Sequence, residues 1–237
     1  MADLWRCDSP ANWAEHFDAV SQRTQALNNE KLTDLERWFF EELPVAFVGR
    51  SPPYMTAAEL VQLMDWKLTR GKWRPRLLDF VKAHSADIVQ QTTQEAFDHL
   101  SRADMKAAAS QAQVKQAIET LNKLKGIGPA TASAVLTAYD ATVPFMSDEA
   151  MAAALSGSKE YTLKQYLLLV EALQQKAQKL SVTDEGRGWT AKTVERCLWS
   201  AAAQHMKPKA AAKSKTGAKA EAAASPTKPK AATKRKR

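Results

Sequence analysis

The chain has 237 residues, 34 Lys and Arg against 26 Asp and Glu, and a formal net charge of +8. From Lys207 to Arg237 eleven basic residues meet a single acid, Glu221, so this segment carries +10 and residues 1–206 carry −2. A polycationic surface over the whole molecule is therefore excluded, and the nearly neutral remainder is long enough to bury a core of its own.

In chain order, Trp13, Phe17 and Val20 recur at helical spacing within Asn12–Leu27. A second helix over Leu32–Leu43 is expected to stop at Pro44, and Val45–Tyr54 to form a loop. Thr56 and Glu59 have the spacing of a capping box opening a helix with Leu60, Leu63, Met64 and Leu68 on one face. Gly71 ends it, and Pro75 suits the first turn of the next helix, which carries Leu77, Leu78 and Val81. Thr92-Thr-Gln-Glu95 is read as a further helix start. Val114, Ile118, Leu121 and Leu124 form a stripe ending at Gly126, and Pro129 begins a helix to about Tyr139. Helices over Glu149–Leu155, Thr162–Leu180 and Thr190–Gln204 complete the pattern. No period-2 alternation interrupts it, so the expected fold is all-α, about ten helices in one domain over residues 1–206. Residues 207–237 are Ala, Lys and Pro with almost no large apolar side chain, and are expected to be disordered.

The most informative stretch is Leu121–Leu136, LNKLKGIGPATASAVL. Gly126 and Gly128 permit positive φ and close backbone approach. The N–H groups of Gly126, Ile127 and Gly128, with the positive end of the helix opened by Pro129, are expected to converge on one anion. Lys123 and Lys125 flank that place and Thr131 follows it. Contacts of this kind hold a sugar–phosphate backbone without reading bases. An ordinary glycine turn between packed helices is the competing account. The longer pattern, helical on both sides of Gly-Ile-Gly-x-x-Thr-Ala, resembles the helix-hairpin-helix motif of DNA-binding and DNA-repair proteins.

The resemblance extends to the helix-hairpin-helix base-excision DNA glycosylases, whose hairpin is followed by a catalytic Asp opening the next helix. In VPFMSDEAM, Asp148 stands seventeen residues after Thr131, in that register. This implies a glycosylase-like all-helical fold binding DNA, with Asp148 as the carboxylate that stabilises the charged sugar or activates water. Asp148 and Ser147 are also good N-caps, and a capping carboxylate can still face a pocket. Where bifunctional relatives carry a lysine just before the hairpin Thr, this chain has Ala130, which implies a monofunctional glycosylase. The iron–sulfur cysteines of some relatives are absent, as is the basic residue often found in the helix after the Asp. QLMDWKLTRGKWRPRLLDFV, PFMSDEAM and YTLKQYLLLV are also similar to a group of uncharacterised eukaryotic proteins with this core. The competing function is a DNA or chromatin adaptor that keeps the fold without the chemistry. A protein-interaction scaffold with a vestigial hairpin is the third reading.

Trp66–Leu78 concentrates Lys67, Arg70, Lys72, Arg74 and Arg76 without an acid. These side chains either contact a nucleic-acid backbone or form a solvated loop. Trp66 and Trp73 are expected in the core rather than stacked on a base. KPKAATKRKR reads as a nuclear-localisation signal, and Ser225-Pro226 has the form of a proline-directed phosphorylation site that would weaken the tail's non-specific DNA contacts. A tail that is merely solvated is the alternative. Cys7 and Cys197 are too few for a disulfide framework or a four-ligand metal site and read as free thiols. His16, His84, His99 and His205 have no ligand spacing, so neither metal nor cofactor is expected. MADLWRCDSP has no apolar core of a signal peptide, and Tyr166–Val170 is too short to span a bilayer. A nuclear monomer is expected, with DNA and an import receptor as partners and no membrane association.

Overall fold

A computed structural model of the chain describes residues 2–155, 160–184 and 186–208. The basic segment 209–237, where disorder, a nuclear-import signal and a Ser225 phosphorylation site are expected, lies outside the described residues. Among the described residues there is no β-strand, and the architecture is all-α. The helices are α1 (Ala2–Arg6), α2 (Pro10–Asp18), α3 (Val20–Ala26), α4 (Glu30–Arg37), α5 (Leu43–Val48), α6 (Ala57–Arg70) and α7 (Pro75–Lys82). They continue as α8 (Ala86–Leu100), α9 (Gln111–Leu121), α10 (Pro129–Tyr139), α11 (Asp148–Ala154), α12 (Leu163–Thr183) and α13 (Ala191–Ala203). None is long and apolar enough to cross a membrane.

The expected count of about ten is too low, because the first fifty residues hold more and shorter helices than the pattern suggests. Asn12–Leu27 is divided between α2 and α3 at Ala19, and Ala2–Arg6 adds a turn of its own. Pro44 does not stop its helix. A proline lacks the N–H for the bond four residues back, and its ring crowds that carbonyl. Here a π-helical turn, Trp38–Glu42, widens the coil ahead of Pro44, and the chain continues into α5. Val45 to Val48 are consequently helical rather than loop.

The Thr56 box forms as expected: Thr56 Oγ1 accepts from the Glu59 N–H, and Glu59 accepts from the Thr56 N–H at 2.8 Å. The second box does not open a helix. Thr92 to Glu95 lie inside α8, which starts at Ser85, whose hydroxyl accepts from the Ile88 N–H. Thr93 is fully buried instead, donating to the Val89 carbonyl and accepting from the Met55 N–H at 3.0 Å. A buried threonine satisfied within its own helix carries the same spacing as a cap, and only its burial tells the two apart.

Most of the core forms one continuous apolar cluster, with α10 in contact with α5, α6, α8, α9 and α12. A smaller cluster joins Val20, Leu27 and Leu32 to Trp199 and Ala203 of α13. Helix α10 is buried from Ala130 to Ala138, and its residues are mostly Ala, Ser and Thr, which let neighbouring helices approach closely. Ser133 ties it to the segment that follows. Its hydroxyl donates to the Ala130 carbonyl and accepts from the Met146 N–H at 2.9 Å. The Tyr166 hydroxyl donates to the Pro144 carbonyl at 2.9 Å. Residues 144–146 are therefore held from two sides on the approach to α11.

Ser133→Ala leaves the buried Met146 N–H without its partner. The expected loss is about 1–3 kcal/mol of stability, read as a lower urea midpoint at unchanged m-value.

Candidate nucleic-acid interface and carboxylate cavity

Helices α9 and α10 are joined by the turn 122–128. Gly126 sits at φ +88°, and a Cβ there would lie 2.7 Å from Cβ of Phe80 in α7. Glycine is thus required at 126 both by the left-handed backbone and by the close approach of α7. Gly128 differs from the sequence expectation: its φ is −103°, ordinary extended backbone, and a Cβ there would meet nothing within 4 Å. The expectation for Ile127 is also corrected. Its N–H donates inward to the Leu124 carbonyl at 3.0 Å and its side chain is buried, closing the turn rather than facing an anion. The N–H groups of Gly126, Gly128 and Ala130 have no hydrogen-bond partner among the described residues. They are the donors left at the start of α10, and Pro129 supplies none.

The flanking lysines are exposed. Lys123 pairs with Glu95 at 3.0 Å, and Lys125 Nζ lies 4.9 Å from the centre of the Phe80 ring. His84 Nε2 bonds the Lys125 carbonyl at 2.9 Å, a second tie between the turn and the end of α7. Thr131 is buried, its N–H donating to the Gly128 carbonyl, so it shapes the helix start from within.

A cavity of about 260 Å³ brings three of the sequence-predicted groups together. Gly126, Gly128, Ala130 and Thr131 form one wall, Asp148 with Glu149 another, and Lys67, Arg70, Lys72 and Arg74 a third, over a floor that includes Phe145 and Met146. Arg76, Lys123, Lys125 and Ile127 stand outside it. Asp148 is exposed at the first position of α11, and the cap is made by Ser147, whose hydroxyl accepts from the Ala150 N–H at 3.2 Å. The carboxylate is thus not occupied with capping. Its Oδ1 accepts from the Tyr161 hydroxyl. Burial and the adjoining carboxylate push the Tyr161 phenol up to about 12, so it stays a donor at neutral pH.

The basic wall is not uniform. Lys72, Arg74 and Arg76 are exposed, as a backbone-contacting patch requires. Arg70 is not: its side chain is only 3% exposed, paired with Glu195 at 2.7 Å and Glu36 at 3.5 Å. Its guanidinium lies over Trp66, Phe145 and Trp199. A guanidinium held by two carboxylates and three rings is committed to the core, so the expectation of a freely contacting Arg70 is corrected. The tryptophans also divide. Trp66 is buried and stacked on Phe39 at 3.7 Å, whereas Trp73 is 52% exposed between Lys72 and Arg74. Periodicity could not separate them, since Trp73 falls in the connection after α6, where no helical face applies.

Lys67 is half-buried on the last turn of α6, and its ammonium makes no hydrogen bond or ion pair among the described residues. Burial lowers its ammonium to about 8, aided by Arg74 and opposed by Asp148. Burial raises Glu195 to about 7, against the attraction of Arg70. Sequence reasoning missed Tyr161, Glu195, Glu36 and Ser133. Ser133 lies within Leu121–Leu136 and Tyr161 opens YTLKQYLLLV, but no local pattern marks their contacts, and the association of all four with the site is set by tertiary packing. Among the described residues no cluster of His, Cys, Asp and Glu could hold a metal ion. No family model, curated protein or solved structure matches the chain.

Gly126→Ala is expected to cost about 1–3 kcal/mol for the strained backbone, with more from the Phe80 contact, whereas Gly128→Ala stays within about 1 kcal/mol of wild type; chemical denaturation of both variants checks the difference. Glu195 gives a pH dependence of definite sign. The native state retains a proton that the unfolded chain releases between 4.5 and about 7. The stability from this group is full below that window and lost as pH rises through it. Going from about pH 5 to about pH 8 should therefore destabilise wild type more than Glu195→Gln. Thermal unfolding across that range measures it.

Proposed function

We propose that the chain binds duplex DNA through the turn 122–128 and uses the adjoining cavity to hydrolyse the N-glycosidic bond of a damaged or mismatched base. The observation that carries this reading is the convergence on one cavity of unpaired backbone donors, an exposed carboxylate and a basic rim. At about 260 Å³ the cavity is smaller than most ligand pockets, which begin at about 300 Å³. That size favours a single heterocycle over a larger ligand. A base must leave the duplex stack to reach such a cavity, so the backbone on either side needs to be held firmly.

In this reading the N–H groups of Gly128 and Ala130, aided by the α10 dipole, bind a phosphate oxygen. Lys72, Arg74 and Arg76 neutralise neighbouring phosphates, and Trp73 stands beside them as an exposed ring on which a base can stack. As the C1′–N bond breaks, its electron pair leaves with the base and positive charge builds on the sugar. Asp148 stabilises that charge and accepts a proton from the attacking water. Ala130 places no amine on the hairpin wall. This fits the finer fold reading, a glycosylase-like helix-hairpin-helix domain. A nuclear location, with an import receptor engaging the basic C-terminal segment, belongs to the same proposal.

The second reading is a DNA-binding adaptor without chemistry. It is favoured by the Tyr161 hydroxyl, which already occupies one oxygen of Asp148. A panel of duplexes bearing single damaged or mismatched bases, treated with alkali to reveal abasic sites, separates the two. The expected result is product on at least one duplex and its loss in Asp148→Asn with binding retained. Product on none, with binding intact, supports the adaptor. For DNA contact, Gly128→Asp is the informative variant. It has room for the side chain and places a good N-cap residue there, yet sets a carboxylate where the phosphate would sit. Binding should fall about tenfold or more at unchanged stability. Unchanged affinity would sink the turn as a DNA contact.

A further inference from the structure

We propose that Lys67 is an amine nucleophile, which forms an imine with the aldehyde carbon of an abasic site and makes the cavity a strand-cleaving lyase as well. This rests on the glycosylase reading and extends it. It also departs from the expectation of a purely hydrolytic enzyme, which considered only the hairpin position occupied by Ala130.

The argument begins with what base removal leaves behind. Hydrolysis at C1′ produces a sugar hemiacetal in equilibrium with its open-chain aldehyde, located where the base-bearing sugar stood. Lys67 lines that same cavity, on the wall contributed by α6. Unlike Lys123 and Lys176, it has no carboxylate within ion-pair distance among the described residues. Around it stand Arg70, Lys72 and Arg74 on the cationic side, and Asp148, Glu149 and Tyr161 opposite. Arg70 is paired with Glu195 and Glu36 in the interior, and the charge that disfavours the Lys67 ammonium is Arg74. A lysine desolvated beside another cation is the arrangement in which an amine becomes nucleophilic near neutral pH. With its ammonium lowered to about 8, about a tenth of Lys67 is the free amine at neutral pH, against well under about one part in a thousand for an exposed lysine.

The chemistry balances without an oxidant or reductant. The Nζ lone pair attacks C1′, forming a C–N bond, and loss of water gives the protonated imine. Asp148 takes the C2′ proton, and the electrons of that C–H bond form a C2′–C3′ double bond. The C3′–O bond breaks, releasing the downstream strand with a 5′-phosphate. Water then hydrolyses the imine, returning the amine and leaving an unsaturated aldehyde on the upstream strand.

The test uses the full chain and a duplex carrying a preformed abasic site, so it does not depend on which base is excised. Borohydride reduces an imine to a stable amine and traps the complex. Wild type should be trapped, with the adduct mapping to Lys67 by peptide mass spectrometry. Lys67→Arg keeps the positive charge but cannot form the imine, and should lose trapping about tenfold or more. Lys67→Met, a neutral side chain of similar length, should lose it equally. Affinity for a duplex with a stable tetrahydrofuran abasic analogue, which forms no imine, should stay within about threefold in Lys67→Arg. An adduct mapping to the basic C-terminal segment or the N-terminal amine, or undiminished trapping in Lys67→Arg, overturns the proposal. No adduct despite tight binding of the analogue also overturns it, while leaving base hydrolysis standing. Failure to bind the analogue at all removes both.

Discussion

The geometry of the cavity depends on one hydroxyl. Ser133 lies in the middle of a helix whose buried positions are mostly Ala, Ser and Thr. It accepts from the Met146 N–H while donating to the Ala130 carbonyl. That single side chain links the start of α10, where the unpaired backbone donors lie, to the extended segment that delivers Asp148. A larger residue would push the segment away, and one without a hydroxyl would leave a buried N–H without a partner. The positions of the donors and of the carboxylate are therefore not independent. They are two ends of one hydrogen-bonded connection through the interior, backed from behind by Tyr166 and Pro144.

Charge is handled in the same interior. Burying a guanidinium is costly unless it is paired and its hydrogen bonds are met. Arg70 is paired with Glu195 and Glu36 and lies over three aromatic rings, while its Nε and Nη1 make no hydrogen bond among the described residues. The result is a buried cluster of charged side chains beside the cavity, joining α4, α6 and α13. Above it, exposed Lys72 and Arg74 of the 71–74 connection, with Arg76 in the first turn of α7, keep their charge for whatever approaches from solvent. One short run of sequence thus contributes a structural cation from its helical end and free cations from its loop. The division follows where α6 ends at Gly71.

Much of the helical layout was legible because it is written locally. The Thr56–Glu59 box, the stop at Gly71, and the starts at Pro75 and Pro129 each rest on backbone chemistry within four residues, and each is where it was expected. Local rules failed where tertiary structure supplied an alternative. Pro44 is accommodated by a π-helical turn, and Thr93 satisfies itself inside α8. Gly128 has space around it rather than an unusual backbone angle, and Ile127 turns inward because its side chain is needed in the core. The association of Asp148 with the glycine turn was legible through spacing, as was the basic character of residues 67–76. That Lys67 would lack a partner, that Arg70 would be buried and that Tyr161 would reach Asp148 were not. Those facts depend on helices distant in sequence meeting at one place, for which the chain carries no local mark.

The two glycines of the turn have a genetic consequence. Substitution at 126 collides with Phe80 and a left-handed backbone, so it acts on the folded population. A cell would register it as reduced abundance, because marginal stability is converted into turnover by chaperones and proteases. Substitution at 128 meets open space, so the protein would accumulate normally, and under the proposed DNA contact it would fail only in binding. Two neighbouring alleles with the same outward phenotype would then behave differently in a heterozygote. The unstable product is cleared, whereas the stable one persists and competes with the normal copy for every partner that does not require residue 128.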